Sequence, residues 1–194
     1  MVAGLLLAAG SSRRLGQPKQ LLPFNGKTLL EASLDVLNSA PVARRLVTIG
    51  GAAAEVSKQV DLTGFEVVES AQHSKGCSSS IVSALGTLDD VDGFIMFLGD
   101  QPGVSQAAIE SVLAAAQAGH PVVVCQYQDG IGHPFYFSQE TFDRLADLSG
   151  DKAVWKVIES GEFDVCEVTV DTTVPLDVDT WEDYEALLAS EKGR

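Results

Sequence analysis

The segment from Leu7 to Lys19 combines small residues with three cations, in the order Leu-Ala-Ala-Gly-Ser-Ser-Arg-Arg-Leu-Gly-Gln-Pro-Lys. Small residues directly after a strand allow backbone N–H groups to close around phosphate oxygens. Arg13, Arg14 and Lys19 then offer bidentate and point-charge contacts to a polyphosphate. Neither GxGxxG nor the P-loop fits, because positions 12 and 21 lack the glycine that those patterns need. The segment predicts a phosphate site of another kind, with a plain turn carrying solvated cations as the alternative.

Two acidic segments could hold a divalent cation on such a phosphate. Asp100 lies in Gly-Asp-Gln-Pro directly after a very apolar run, and Asp177 and Asp179 lie in Leu-Asp-Val-Asp-Thr. Carboxylate oxygens are ligands that Mg²⁺ uses together with phosphates. We expect only one of Asp177 and Asp179 to face a given ligand. The alternatives are a turn-forming role for Asp100 before Pro102, and capping of a last helix by Asp179 or Thr180.

The remaining polar candidates carry weaker signals. The run 75–80 reads Lys-Gly-Cys-Ser-Ser-Ser and opens a predicted helix, so Ser79 and Ser80 could approach a base or ribose or merely cap that helix. His133 stands in Gly-His-Pro and could contact a substrate. Cys77 has no motif around it that indicates a nucleophile, and no two histidines have metal-ligand spacing.

Strand-like and helix-like segments alternate along the whole chain and must position these residues. Apolar runs predict strands at 2–8, 45–49, 65–68, 93–98, 121–125, 132–137 and 163–169. For the strand at 132–137, an antiparallel direction is an alternative to a parallel one. Helical spacing predicts helices at 28–38, 52–59, 78–88, 105–118, 139–147, 151–159 and from about 180. This order predicts an α/β fold with a mostly parallel sheet between helices, as one domain over 1–194. Ligands bind beyond the carboxyl ends of such strands, which singles out the segments after Ala8, after Leu98 and near Asp177.

Charge is distributed unevenly along the chain. The 194 residues hold 13 Lys plus Arg and 27 Asp plus Glu, a net charge of −14. Residues 1–86 carry eight basic and six acidic residues, whereas 87–194 carry five and 21, and the first thirty contain no acid. The total argues against general binding to nucleic acids or anionic membranes. The acid-free start predicts a site for a small anion.

Cysteine content and the N-terminal apolar run indicate the compartment. Three widely spaced cysteines without a CxxC pair predict neither a disulfide framework nor a zinc site. The N-terminal run lacks a preceding basic residue, and it is too short to span a bilayer. We therefore expect a cytoplasmic protein with no membrane partner.

Taken together, these segments resemble the nucleotidyltransferase family that includes the molybdenum cofactor cytidylyl- and guanylyltransferases (MobA/MocA-like). Residues 7–22 match LAAGxSRRxGxxKxLL, 99–102 match the metal-binding motif, 132–134 match GHP, and 177–183 match DxDT-x-ED. Trp181 stands where the family usually has proline. The resemblance implies a three-layer Rossmann-like nucleotide-diphospho-sugar transferase fold and Mg²⁺-dependent transfer of a nucleoside monophosphate to a phosphate acceptor, with release of pyrophosphate.

The resemblance also implies residue roles. Gly10 and neighbouring amides, with Arg14 and Lys19, would hold the triphosphate, and Asp100 with Asp179 or Asp177 would bind Mg²⁺. The implied catalytic residues are Arg14, Lys19 and Asp100. The implied nucleotide-binding residues are Leu7, Ala8, Ala9, Gly10, Arg13, Arg14, Lys19, Ser79, Ser80 and Asp100, and His133 is the candidate acceptor contact.

The substrates are less narrowly defined. The motifs Leu-Ala-Ala-Gly and Gly-Asp-Gln-Pro favour CTP over GTP, and molybdopterin is the expected acceptor, with a molybdoenzyme as a possible client. One alternative is a nucleotidyltransferase for a sugar or polyol phosphate. Another is a non-catalytic nucleotide- or pterin-binding protein that helps a molybdoenzyme mature. The joint presence of Arg14, Lys19, Asp100 and Asp179 argues against the last, because mere binding does not require the metal-binding acids.

Overall fold

Seven strands form a central sheet in the computed structural model, which describes residues 1–70, 77–147, 150 and 153–191. The strands are β1 Val2–Leu7, β2 Pro23–Phe24, β3 Lys27–Thr28, β4 Arg44–Ile49, β5 Glu66–Glu69, β6 Gly93–Leu98, β7 Val122–Tyr127, β8 Gly130–Ser138 and β9 Val165–Thr169. The helices are α1 Leu29–Ser39, α2 Ala53–Gln59, α3 Cys77–Leu85, α4 Gln106–Gln117, α5 Phe142–Ala146, α6 Ala153–Ile158 and α7 Trp181–Glu191.

The order of strands in the large sheet is β5-β4-β1-β6-β8-β7-β9. Strands β5, β4, β1 and β6 pair in parallel, β8 runs antiparallel to both β6 and β7, and β9 pairs in parallel with β7. The predicted α/β architecture with a mostly parallel sheet is therefore confirmed. Since β8 runs opposite to β6, its first residues lie at the same edge as the last residues of β1 and β6.

Helices cover both faces of the sheet. Helices α1, α2 and α4 pack on the face that contains Leu6, whereas α3, α5 and α6 pack on the face that contains Leu5 and Leu7. Side chains alternate between the two faces along a strand, so a strand covered on both faces must be apolar at nearly every position. This explains the uninterrupted apolar runs of β1 and β6.

Most predicted elements are confirmed, with differences at their ends. The helix predicted at 78–88 is α3 and ends at Leu85, and the one predicted at 139–147 is a 3₁₀ turn, Gln139–Thr141, followed by α5. The strand at 132–137 is the antiparallel β8. The N-terminal apolar run is β1, and no helix in the described ranges is long and apolar enough to cross a membrane.

The β2–β3 hairpin was not predicted. Its turn is Asn25-Gly26, with φ of 47° and 78°, and Asn-Gly at such angles favours a two-residue hairpin. Phe24 of this hairpin belongs to a small apolar cluster apart from the main core. We call this group the side cluster; it consists of Leu15, Leu22, Phe24, Leu29, Val178 and Leu187. The side cluster joins the segment after β1 to the start of α7.

Gly93 is required by the close contact between β6 and β8. A Cβ at this position would lie 2.5 Å from the carbonyl oxygen of Phe137 and would also collide with the Tyr136 ring. Because the Phe137 oxygen is part of the sheet backbone, it cannot rotate away. We expect Gly93→Ala to lower the free energy of unfolding by about 1–3 kcal/mol. Urea denaturation measures this loss.

Gly86→Ala is the matched control for this prediction. A Cβ at Gly86 would find its nearest neighbour, the Ser83 carbonyl oxygen, at 3.8 Å, which is an ordinary contact. The urea midpoint of Gly86→Ala should equal or exceed that of the wild type. Equal midpoints for the two variants would contradict the argument from close packing.

Candidate active site

A cavity of about 770 Å³ opens at the carboxyl ends of β1 and β6. The loop after β1, the start of β8, helix α6 and the segment before α7 also line it. The predicted site residues that line it are Leu7, Ala8, Ala9, Gly10, Arg13, Arg14, Lys19, Ser80, Asp100, His133, Asp177 and Asp179. Ser79 instead places its hydroxyl 3.3 Å from that of Ser70. Positions 75–76 of the serine-rich run and the Cys77 side chain lie outside the described residues.

The ammonium group of Lys19 lies between two carboxylates. It donates to Oδ2 of Asp100 at 2.5 Å and to Oδ1 of Asp179 at 3.0 Å. Arg14 donates from Nη2 to the other oxygen of Asp179 at 2.7 Å. Lys19 and Asp100 are largely buried, with 17% and 10% of their side chains exposed, whereas Arg14 lies at the open mouth. Three distant parts of the chain therefore meet at one cation.

Electrostatic shifts follow from this arrangement. Burial works against the charged form of Lys19, but attraction and hydrogen bonds from Asp100 and Asp179 outweigh it and raise the Lys19 pKa. Burial likewise opposes ionisation of Asp179, yet the hydrogen bond and charge of Lys19, with Arg14, lower the Asp179 pKa. Both partners consequently stay charged near neutral pH.

Asp177 also lines the cavity, so the expectation that only one of Asp177 and Asp179 faces a ligand is wrong. Residues two apart in an extended chain lie on the same side. The intervening Val178 is fully buried in the side cluster, which leaves both carboxylates to the cavity. Although the Asp177 side chain is exposed, partial desolvation and repulsion from Asp100 and Asp179 raise its pKa.

Thr180, which follows Asp177 and Asp179, caps the N-terminus of α7. Its hydroxyl accepts from the Asp183 N–H at 3.2 Å, while the Asp183 carboxylate accepts from the Thr180 N–H at 2.8 Å. This reciprocal capping box starts α7 at Trp181, in the position where the family usually has proline. Since Thr180 caps the helix, the Asp179 carboxylate is left to contact Lys19 and Arg14.

Two carbonyl groups of the loop after β1, those of Ala8 and Gly10, accept hydrogen bonds from one buried side chain. Gln20 is buried, and its Nε2 donates to the carbonyl oxygens of Ala8 at 2.7 Å and Gly10 at 3.0 Å. The backbone N–H groups of residues 9–14 have no acceptor within the described part of the chain. Amides without a protein acceptor, next to Lys19 and Arg14, are suited to binding phosphate oxygens. The sequence analysis did not predict a role for Gln20, because its partners are backbone carbonyl groups, which no side-chain motif reveals.

The described residues of β8 and α6 that line the cavity carry no charge near neutral pH. The His133 ring stacks on Phe135 with centroids 4.2 Å apart, and burial lowers the His133 pKa to about 3. His133 is therefore neutral at physiological pH and offers hydrogen bonding without charge. Trp155 of α6 lines the same cavity and contacts the Phe135 ring edge to face. It was not predicted, because a lone aromatic residue on a short amphipathic helix is typical of a core contact.

A divalent cation fits the chemistry of the acidic side. Asp100, Asp177 and Asp179 supply the hard oxygen ligands that Mg²⁺ and Mn²⁺ bind, and burial, followed by repulsion from Asp100 and Asp179, raises the pKa of Asp177. Among the described residues, no three Asp, Glu, His or Cys side chains are already at metal-binding spacing. The Lys19 ammonium group is already hydrogen-bonded to Asp100 and Asp179, so a metal ion that binds these carboxylates would have to displace it.

Comparison with known proteins identifies a family and close structural relatives. Residues 4–165 match the family model described as the MobA-like NTP transferase domain. The crystal structure of the Mycobacterium tuberculosis Rv0371c homolog from Mycobacterium sp. strain JC1 is 50% identical, with a TM-score of 0.91 over 97% of this chain and 96% of that one. The manganese complex of Rv0371c from M. tuberculosis H37Rv is 43% identical, with a TM-score of 0.86 over 97% and 98%. The expected fold is therefore confirmed.

Curated relatives are more distant. The purine catabolism protein PucB of Bacillus subtilis is 28% identical over 94% of this chain and 93% of its own. The nicotine blue oxidoreductase of Paenarthrobacter nicotinovorans is 30% identical over 61% of this chain, and that match spans 58% of the relative. The probable molybdenum cofactor guanylyltransferase of Bacillus mycoides is 31% identical over 63% of this chain and 60% of its own.

The raised pKa of Asp177 predicts a stability effect. An acid whose pKa is higher in the folded than in the unfolded chain destabilises the fold at pH values above both. Asp177→Asn should therefore raise the free energy of unfolding at pH 7 without divalent metal. The gain should vanish as the pH falls through the unfolded value near 3.8. Because the carboxylate is exposed, we expect a small gain, measurable by urea denaturation across pH.

The control must remove the same charge elsewhere, because the chain already carries −14. Glu185→Gln does so at an exposed position of α7 outside the cavity. A smaller gain in Glu185→Gln than in Asp177→Asn supports burial and repulsion at Asp177 as the cause. Equal gains would mean that only the total charge matters.

Proposed function

The chain belongs to the MobA-like NTP transferase domain family, and from that premise we propose that it transfers CMP from CTP to a phosphate of molybdopterin. The observation that carries this proposal is the Lys19 ammonium group, held by Asp100 and Asp179 next to a loop whose amides are available for phosphates. Transfer of a nucleotide requires a site that holds a polyphosphate and a cation together. The proposed compartment is the cytoplasm, as the source of CTP.

The triphosphate would lie along the loop after β1. Backbone N–H groups of residues 9–14 would contact its oxygens, with Lys19 beside the α-phosphate and Arg14 at the mouth. Ala8 and Ala9, which are small and buried, would allow the nucleotide to approach the backbone closely. The raised pKa of Lys19 keeps its ammonium charged for this role.

In the proposed reaction, an oxygen of the acceptor phosphate attacks the α-phosphorus of CTP. The new P–O bond forms as the bond to the β-phosphate oxygen breaks, and pyrophosphate leaves with that electron pair. Such phosphoryl chemistry depends on positioning and charge neutralisation more than on covalent help from the protein. Lys19 and Arg14 would neutralise charge that develops around the α-phosphorus.

Mg²⁺ is the proposed cofactor, and Asp100, Asp177 and Asp179 are the residues that would hold it. When bound, it would supply neutralisation of phosphate charge and fix the orientation of the phosphates. The manganese in the Rv0371c complex supports a divalent cation in this family. Lys19, once released from Asp100 and Asp179, would be free to contact the triphosphate.

The choice of CTP and molybdopterin draws on the motifs and on the relatives. Leu-Ala-Ala-Gly and Gly-Asp-Gln-Pro resemble the cytidylyl members, while the guanylyltransferase of Bacillus mycoides supports molybdenum cofactor chemistry and keeps GTP as the competing nucleotide. A molybdoenzyme that receives the finished cofactor is the proposed client.

Turnover is the direct test of the charged groups. We expect Lys19→Ala and Asp100→Ala each to lower kcat by about 100-fold or more while the fold is retained, because each removes charge from the site of reaction. The assay is pyrophosphate release with CTP or GTP, and with molybdopterin or sugar phosphates as acceptors. Circular dichroism checks folding.

Lys27→Ala and Asp35→Ala are the matched controls, because these residues form an exposed ion pair outside the cavity. Both should retain near-wild-type turnover. Near-normal turnover in Lys19→Ala or Asp100→Ala would refute the proposed site. Tight nucleotide binding by the wild type without pyrophosphate release for any acceptor would favour a non-catalytic binding protein.

Metal affinity tests the competition between Lys19 and a dication. Without nucleotide, Lys19→Ala should bind Mn²⁺ about tenfold more tightly than the wild type, because the cation that occupies Asp100 and Asp179 is gone. Electron paramagnetic resonance of free Mn²⁺ measures this affinity. Lys27→Ala should bind like the wild type. Weaker Mn²⁺ binding by Lys19→Ala would show that Lys19 does not compete for these carboxylates.

A further inference from the structure

Residues 174–179, which we call the acid segment, are held in place by contacts with distant parts of the chain. The N–H of Val174 donates to Oδ1 of Asp129, in the turn between β7 and β8, at 2.7 Å. Toward the other end, Val178 is fully buried in the side cluster. The stretch between these two contacts carries Asp177, whose position therefore depends on how that stretch is held.

Gln101 provides a contact in the middle of this stretch. Its Nε2 donates to the carbonyl oxygen of Pro175 at 3.1 Å, and only 5% of the residue is exposed. The backbone N–H of Gln101 donates to the Leu98 carbonyl oxygen at 3.3 Å, which fixes Gln101 in the turn after β6. Because Gln101 directly follows Asp100, one side chain links the backbone beside the first acid to the acid segment.

The second polar atom of the Gln101 side chain has no partner. Within the described part of the chain, Oε1 is buried and accepts no hydrogen bond. A buried acceptor without a donor costs free energy, which offsets the gain from the bond to Pro175. An apolar side chain of similar size, such as methionine, would avoid that cost. The bond to Pro175 therefore adds little net stability, and its main consequence is geometric.

Asp177 is the acid whose position depends most on this link. The other two acids of the cavity are hydrogen-bonded to Lys19. The Asp177 carboxylate, by contrast, forms no ion pair with any residue that the structure describes. Its position is therefore set by the backbone, which Gln101 holds at Pro175, two residues before it.

A divalent cation makes the distance between carboxylates decisive. Mg²⁺ binds its oxygen ligands at about 2.0–2.1 Å in near-ideal octahedral geometry, so a carboxylate about 1 Å out of place no longer binds it directly. Replacing a side chain that orients metal ligands typically lowers the metal affinity about 10- to 100-fold. Gln101 is suited to such a role, because it is buried, uncharged and bonded to the backbone of the acid segment.

We propose that Gln101 is a positioning residue for divalent cations. Its bond to the Pro175 carbonyl group sets the distance between the Asp100 and Asp177 carboxylates, and this distance sets the affinity for the metal ion. The inference rests on the proposed function only for the divalent cation as the ligand of these acids. Gln101 itself would contact neither the metal ion nor a phosphate.

Metal binding without nucleotide is the direct test, with electron paramagnetic resonance of free Mn²⁺ as the measurement on the full chain. Gln101→Met keeps the size of the side chain and loses the donor to Pro175, so we expect Mn²⁺ to bind about tenfold more weakly. Gln139→Met is the matched control. The exposed Gln139 also donates to a backbone carbonyl group, that of Asp89, but lies outside the cavity. This control should bind Mn²⁺ like the wild type.

A double-mutant cycle separates positioning of Asp177 from a general effect on the fold. If Gln101 acts through Asp177, Gln101→Met should change the Mn²⁺ affinity of Asp177→Asn less than twofold. The urea midpoint of Gln101→Met should stay close to that of the wild type, because the lost bond and the removed Oε1 offset each other. If Gln101→Met does not fold, Gln101→Asn, which is shorter by one methylene group, replaces it in the cycle.

The metal dependence of turnover gives a second readout. Gln101→Met should need about tenfold more Mg²⁺ for half-maximal pyrophosphate release, and saturating Mg²⁺ should restore kcat. A merely structural defect would lower kcat at every Mg²⁺ concentration.

The outcomes distinguish this inference from the proposed function. Equal Mn²⁺ affinities of Gln101→Met and the wild type would overturn the inference alone. A tenfold loss that persists in the Asp177→Asn background would also overturn it, because the effect would not pass through Asp177. Failure of the wild type to release pyrophosphate, with the Mn²⁺ results as expected, would refute the proposed function alone. Absence of Mn²⁺ binding by the wild type would overturn the inference together with the proposed cofactor.

Discussion

The Lys19 ammonium group holds the site together. It bonds to Asp100 and to Asp179, residues that lie 81 and 160 positions further along the chain. Two carboxylates so close would repel each other without a cation between them. Burial and repulsion from Asp100 and Asp179 together raise the pKa of Asp177. The acidic side of the cavity is therefore assembled around one positive charge.

Precise placement of Lys19 depends on apolar packing and backbone contacts nearby. The side cluster packs Leu15 and Leu22, which flank Lys19, against Val178, which flanks Asp179. Gln20 adds hydrogen bonds to the backbone of the loop after β1. Burial of a few apolar side chains thus decides the distance between opposite charges, and the ion pairs complete an arrangement that packing has already brought close.

The cavity combines two chemically different surfaces, one charged and one lined mainly by apolar and aromatic side chains. On one side, Arg14 and Lys19 from the acid-free N-terminal segment meet Asp100 and Asp179 from the acidic remainder of the chain, which suits a phosphate with a metal ion. On the other side, His133 is neutral near physiological pH and stacks on Phe135. The net charge of −14 therefore says little about the ligand, because the local arrangement of a few charges sets the chemistry.

By itself, the sequence determined the α/β class, most strands and helices, and the charged residues of the cavity, because these depend on local periodicity and on side-chain types in short motifs. It also held a signal that was overlooked, the Asn25-Gly26 turn of the β2–β3 hairpin. Only the tertiary structure decided that Asp177 and Asp179 both face the cavity, that Gln20 bonds to the loop after β1, and that Trp155 lines the cavity with His133. These outcomes depend on contacts between residues far apart in the chain, which no local pattern encodes.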